Sequence, residues 1–346
     1  MEKSFIIPSV FEENSTIFSK VADNFIDGIR LVNFKGKDYI IGNLALKEGS
    51  APHKLINSSP DDIDYQLLGL TAMLIASLGT YSKLVVTIGF PNTTFPLYRN
   101  GAEKFFRGNH LISFDGRTYG KNETEKIEIS VQDIDVLTEI EGCCKSVIST
   151  FNETEDFFIA SLGFGTFELG LHITSGIVNR TAYSSKGISY AVNLLENELN
   201  KEHYLNLLTE QQIERAFQRG SIVANRKRID ITNIRTRALQ SYYSEVISPS
   251  IRKKFNDEDY INTKKIYLAG GGAMYDELVA LFKAEFHDIL EVIVFPDPYM
   301  CASKGYCLNS LEKADKLADT EKDERVVYVG IDLGNSNTAV VVNTVG

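Results

Sequence analysis

The 346-residue sequence has no tryptophan, four cysteines, five histidines and eight prolines, and these scarcities remove whole classes of protein. Cys143, Cys144, Cys301 and Cys307 match neither a zinc nor a dithiol redox spacing, so they read as reduced thiols. His53, His110, His172, His203 and His287 are scattered and never pair at i, i+4, which argues against a histidine metal centre or a His-based triad. No apolar run approaches the roughly 18 residues of a membrane span, and Met1-Glu2-Lys3-Ser4 opens no signal peptide. The expectation is a cytoplasmic protein with no membrane partner. Positive charge is also short: 36 Lys and Arg against 46 Asp and Glu leave a net charge of −10, which argues against direct nucleic-acid binding by the whole chain. The remaining composition is that of an ordinary soluble protein, and the length suggests two domains.

What is present is organised around the C-terminal stretch Val326 to Val342. A β-branched run carries Asp332 at its tip, breaks into Gly334-Asn335-Ser336-Asn337-Thr338 and returns as a second β-branched run, which predicts a hairpin. Gly334 accepts positive φ, Asn335 and Asn337 tolerate it, and successive N–H groups in such a turn converge into an anion-binding concavity. An Asp beside that concavity is placed to hold Mg²⁺, usually through water, against a phosphate tail. The turn alone fits an ordinary surface hairpin equally well.

Two further stretches bear on that choice. Phe157 to Leu171 repeats the pattern, with Ser161 at the strand tip and Gly163-Phe164-Gly165-Thr166 as the turn. Lys265 to Ala269 is a strand entering the run Gly270-Gly271-Gly272-Ala273, and Asp276 to Phe282 begins a helix. Two phosphate-type hairpins and one strand-glycine-helix turn resemble the ATPase core shared by actin, Hsp70 and the sugar kinases, most closely the ParM-like plasmid-segregation actins. In that family the first hairpin is N-terminal. Here it comes last, so the sequence resembles a circular permutation of the family, with Gly346 followed by Glu2 in the family's order.

The rest of the chain is predicted in sequence as follows. Ser4–Val10 is a strand, residues 29–34 and 38–42 form a hairpin, residues 61–80 a helix and residues 84–91 a buried strand. A short helix at 102–106 precedes paired strands at 108–114 and 126–131. A helix is expected at 142–151, preceded by Glu139, which the resemblance makes the residue that orients the attacking water. An acidic first turn of that helix is the alternative. Helices follow at 189–200 and 210–220, and the resemblance makes Glu214 a ribose contact. The basic segment Arg226–Arg237 reads as a solvated loop entering a helix or as a contact with an adaptor or neighbouring subunit. One long helix is expected at 232–254, a strand at 291–298, a helix at 300–306, and a charged linker at 313–324.

The resemblance implies an α/β, two-lobed actin-like ATPase fold with ribonuclease H-like sheets and flanking helices, circularly permuted. Lobe one would be residues 1–153 plus 296–346 and lobe two 154–295. The cofactors would be ATP or GTP and Mg²⁺, with phosphates in a cleft at the 334–338 and 163–166 turns and the base against Gly270–Ala273. Backbone donors there stabilise phosphate without a Walker-type lysine. Asp332 would position Mg²⁺, and Glu139 with Asp332 would be the catalytic pair. The implied function is a filament-forming ATPase that partners with itself and, through a DNA-binding adaptor, moves plasmid DNA. A nucleotide-binding scaffold with little hydrolysis and a small-molecule kinase of the same superfamily are the alternatives. A kinase should carry a substrate-binding insertion, and an Hsp70-like chaperone a substrate domain after the ATPase, and neither is expected here. Ser161 departs from the pattern, because the family carries Asp at that tip.

Overall fold

The β-branched C-terminal run forms strands Val326–Leu333 and Asn337–Thr344, paired antiparallel from Val327↔Thr344 to Leu333↔Thr338. A computed structural model describes residues 2–54, 59–80, 82–202, 209–224, 226–317 and 326–344. The hairpin is apolar on both faces because both are covered. Val327, Val329, Ile331, Val340 and Val342 enter one core with the helix Ile63–Ser77, while Ala339 and Val341 pack with Met300 and Cys307 on the other side. Double coverage is what turns a strand from alternating to continuously hydrophobic.

Around this hairpin the described residues build a ten-stranded sheet. Its order is Glu2–Pro8, Asn337–Thr344, Val326–Leu333, Ser82–Phe90, Thr124–Thr138, Gly108–Asp115, Arg30–Phe34, Lys37–Ile41, Val10–Glu13 and His53–Lys54. Glu2–Pro8 lies antiparallel to the last strand, from Glu2↔Asn343 to Pro8↔Asn337. Val326–Leu333, Ser82–Phe90 and Thr124–Thr138 run parallel to one another, so their carboxyl ends share one edge. Register here is strongly specified, since a slip by one residue would turn the buried faces outward.

The helices Cys301–Leu317 and Glu139–Phe151 pack against each other beside this sheet at a distance that only glycine permits. A Cβ on Gly305 would stand 1.8 Å from the Gly142 carbonyl oxygen, and one on Gly330 would stand 2.0 Å from the Ser303 carbonyl oxygen. All four cysteines are free and buried thiols, and all four lie in these two helices, Cys143 and Cys144 in one and Cys301 and Cys307 in the other.

The chain divides into two compact units, Met1–Glu153 with Met300–Gly346, and Thr154–Tyr299. In the second unit, Phe157–Leu162 and Thr166–Ile173 form a hairpin, and Lys265–Ala269 and Glu291–Val294 extend its sheet in parallel with the first strand. Phe158, Ala160, Leu162, Phe167 and Leu169 face one core with helix residues such as Leu195, Phe217, Leu239 and Phe282.

Several boundaries differ from those expected. The helix at 102–106 begins earlier, at Phe95, with Pro96 in its first turn, where a missing N–H costs nothing. The helix expected at 142 starts at Glu139, because Thr138 caps it. The single helix at 232–254 is interrupted: Thr232–Tyr242 widens into a π-turn at Tyr243–Ile247 before Ser248–Lys254. Pro249 lacks an N–H and crowds the carbonyl a turn earlier, which accounts for the widening. The basic segment is a strand, Lys227–Asp230, paired with Ser221–Ala224 and leading into a helix, rather than a loop. Residues 313–317 of the expected linker complete the helix Cys301–Leu317. The rest of that linker and the Gly346-to-Glu2 joint lie outside the described residues.

Candidate functional site: two braced turns at strand ends

In the first unit the register pairs Ile331 with Ile88, Gly89 with Leu137 and Phe90 with Thr138. Asp332, Gly89 and the Thr138–Glu139 junction therefore lie at the carboxyl edge of three parallel strands, the edge where open α/β sheets bind ligands. Asp332 is half-buried, and burial pushes its carboxyl up to about 6. A desolvated carboxylate of this kind gains most from a cation brought beside it.

The turn after Asp332 is braced from behind. Gly334 N–H donates to the Asn337 carbonyl at 3.1 Å, and Ser9 N–H donates to the Ser336 carbonyl at 2.9 Å. The Thr338 hydroxyl is buried against the Ser9 hydroxyl at 2.9 Å, so that side chain serves the brace. Ser9 had no signal in the sequence beyond following Pro8, since its partner lies 329 positions away.

At the neighbouring strand end the two acids of the helix start divide their work. Glu141 accepts the Thr138 N–H at 2.7 Å while the Thr138 hydroxyl accepts the Glu141 N–H at 3.3 Å, a reciprocal capping box. Glu139, half-buried at the first helical position, takes no part in that box. Tyr306 fills the space between these elements. A Cβ on Gly89 would lie 1.9 Å from its hydroxyl oxygen and one on Gly142 2.3 Å from its ring. Its phenol is pushed well up, first by burial and then by the charges of Asp332 and Glu139.

The second unit carries a corresponding device. The Gly163, Phe164 and Gly165 carbonyls accept from Ile188 at 3.0 Å, Ser189 at 2.9 Å and Gly187 at 3.1 Å. These three bonds tie consecutive carbonyls of the turn to residues 187–189, so the turn is held by backbone from outside it. Gly187 must be glycine, because a Cβ there would lie 2.5 Å from the Gly163 and Phe164 oxygens. Ser161 is 2% exposed and sits directly across from Glu168 on one side and Ala269 on the other. Glu168 is fully buried and in turn faces Ser184.

The glycine run is tied to the same hairpin. Gly270 has φ +78°, and a Cβ on it would lie 2.5 Å from the Leu162 backbone, while one on Gly272 would meet Leu162 and Ile188 at 2.7 Å. Gly271 alone of the three opens onto free space, and Ala273 is buried. Glu214, 8% exposed on the helix Glu210–Arg219, reaches the same corner. Burial first, and then the Glu214 charge, push the Tyr275 phenol up, with Arg235 opposing. Arg235 lies 5.7 Å over the Tyr275 ring and holds Glu277 at 2.7 Å. Arg237 pairs with Glu198, so two cations of the basic segment are committed within the unit.

Among the described residues, no group of three or more His, Cys, Asp or Glu side chains is placed to hold a metal alone. Mg²⁺ with a nucleotide needs only one or two carboxylates, because phosphate and water complete its shell, and Asp332 fits that requirement. No helix among the described residues is long and apolar enough to cross a membrane.

Residues 2–142 match the family described as actin-like proteins, N-terminal domain. Most of the chain is similar in structure to the archaeal actin homolog Ta0583, with 15% identity, 89% of this chain and 93% of that one covered, and a TM-score of 0.70. It is similar to ParM in a 15-stranded filament from Clostridium botulinum, at 16% identity, 88% and 92% coverage and a TM-score of 0.70. Bacillus thuringiensis ParM with ATP gives 15%, 90% and 92%, and 0.60. No curated protein sequence matches the chain. The α/β architecture is thus the actin-like fold, and residues 2–142 carry the match to the actin-like N-terminal domain.

Proposed function

We propose that this protein is a nucleotide-dependent, filament-forming ATPase that segregates plasmid DNA through a DNA-binding adaptor. One observation carries the reading: each unit ends its parallel strands in a glycine-containing turn whose carbonyls are held by backbone N–H groups from outside the turn. The same fold holds ADP in the archaeal homolog and ATP in the Bacillus ParM, and it builds a filament in the Clostridium protein.

In this reading the turn Gly334, Asn335, Ser336, Asn337 and Thr338 meets the phosphates, as do Ser161, Gly163, Phe164, Gly165 and Thr166. The base and ribose of ATP or GTP meet Gly270, Gly271, Gly272, Ala273 and Glu214. Asp332 holds Mg²⁺ through water, and that ion neutralises phosphate charge when bound. Glu139 orients the attacking water, a role compatible with its place outside the capping box. Light scattering should rise on adding ATP and Mg²⁺ and stay flat with Mg²⁺ alone. A flat trace with ATP, together with no sedimentable polymer, would remove the filament reading.

We also read the order of elements as a circular permutation of the ParM arrangement, resting on the pairing of Glu2–Pro8 with Asn337–Thr344. Because Glu2 lies opposite Asn343, a short loop can join the two strands. A chain rebuilt to begin at Val326 and to run through such a loop into Glu2 should keep the wild-type urea midpoint and nucleotide affinity. Loss of both would show that the present order is required for the fold.

A nucleotide-binding scaffold with slow turnover is the second reading, favoured by Ser161. A hydroxyl can hydrogen-bond water but brings no charge to help order the ion and its shell.

A further inference from the structure

The second unit also carries a basic cavity that the nucleotide reading does not use. It measures about 490 Å³ and is lined by Arg180, Arg252, Lys253, Lys254, Phe255, Asn256 and Asp257. Four cations against one acid is a reversal of sign in a chain with a net charge of −10. Its walls are built rather than incidental. Phe255 anchors the loop in the core, its ring tilted against that of Phe158 with centroids 4.3 Å apart. Asn256 and Asp259 exchange hydrogen bonds, Asn256 N–H to the Asp259 carboxylate at 2.9 Å and Asp259 N–H to the Asn256 amide oxygen at 3.1 Å. Arg180 closes the loop by forking onto the Asp259 carboxylate.

The cations differ in what they are free to do. Arg180 is committed to Asp259, and Arg252 lies 3.2 Å from Glu285. Lys253 and Lys254 have no carboxylate partner among the described residues. Their ammonium groups lie 5.9 Å and 4.8 Å from the centre of the Tyr183 ring. The end of the helix Ser248–Lys254 favours positive charge, which explains why lysines are tolerated there. It does not explain a cavity in front of them.

We propose that this basic cavity is a docking site for a short carboxylate-rich segment of a partner protein. The inference does not depend on the nucleotide-binding reading. The cavity's volume suits a few side chains. Its rim is exposed, so a single small anion would keep its water and be held weakly, whereas several carboxylates on one chain act together. A long polyanion such as DNA reaches beyond the cavity and is opposed by the chain's net charge of −10.

Fluorescence anisotropy with a labelled oligoglutamate peptide tests this, in low salt and without nucleotide. Saturable binding is expected, and Lys253→Gln/Lys254→Gln should weaken it by about tenfold, about 1.4 kcal/mol. Lys104→Gln, an exposed lysine of the other unit, should leave it unchanged. Single-stranded DNA of matched charge and inorganic phosphate should both compete poorly. Equal affinity in the double variant, or DNA or phosphate competing as well as the unlabelled peptide, would overturn the proposal. Circular dichroism of the double variant should match wild type, since neither lysine is buried.

Discussion

Asp332→Asn should make the nucleotide-free protein more heat-stable at neutral pH while reducing Mg²⁺-dependent ATP hydrolysis by about a hundredfold or more. Burial raises the folded-state pKa of this carboxyl to about 6, above its ordinary 3.8. A folded state that holds the proton more tightly is favoured by this group below the unfolded pKa. That advantage is lost as pH rises from 3.8 through 6, so above pH 6 the ionised carboxylate weighs against folding. A gap of about two units corresponds to at most about 3 kcal/mol, and partial exposure reduces this to about 1–2 kcal/mol. Asn keeps the shape and cannot ionise. Differential scanning calorimetry of apo wild type and variant should show a gain of a few degrees at pH 8 that shrinks toward pH 4. The same substitution removes the carboxylate that would order Mg²⁺, and single-turnover hydrolysis reads that loss. An unchanged rate in a folded variant would remove Asp332 from the site.

The second large effect is expected at Ser161, where the chain departs from the pattern it resembles. Ser161→Asp should raise the single-turnover rate of ATP hydrolysis about tenfold and lower the stability of the apo protein. Ser161 is almost fully buried and directly across the ladder from buried Glu168, a pairing that brings Cβ atoms to about 5 Å. Two carboxylates that close cannot both ionise cheaply, so the variant should lose about 1–3 kcal/mol without ligand. Urea melts should show that loss, and Mg²⁺ with ATP should recover most of it. A wild-type rate equal to or above that of Ser161→Asp, measured under polymerising conditions, would mean that the serine has no catalytic cost and that this hairpin has another role.

Much of the fold was legible because its signals are local. The β-branched runs of Val326–Val342 and the Phe157–Leu171 stretch carry their own period and turn residues, and both became hairpins with the expected tips. The glycine run was read as one turn, yet its three glycines act differently. Gly270 and Gly272 are demanded by the approach of Leu162, more than 100 positions away, and only Gly271 opens to space. The helix at 232–254 was read as continuous because apolar spacing carries over the π-turn. The interruption comes from a single proline whose effect lies a turn upstream.

The sequence by itself determined the strands of the two glycine-turn hairpins, where the two polar turns lie, and the joint order of motifs that resembles the actin-like ATPases. Those features follow from residue type and spacing over a few positions, where backbone preference and periodicity decide the outcome. Only the tertiary structure decided that Ser9 braces the first turn and that residues 187–189 brace the second. It also decided that Thr338 turns its hydroxyl inward and that Asp332 sits where burial raises its carboxyl. The reason is physical: a brace, a close approach or a desolvated charge depends on atoms brought together from distant positions. No local preference encodes that distance, so it exists only once the sheet has closed around the hairpin.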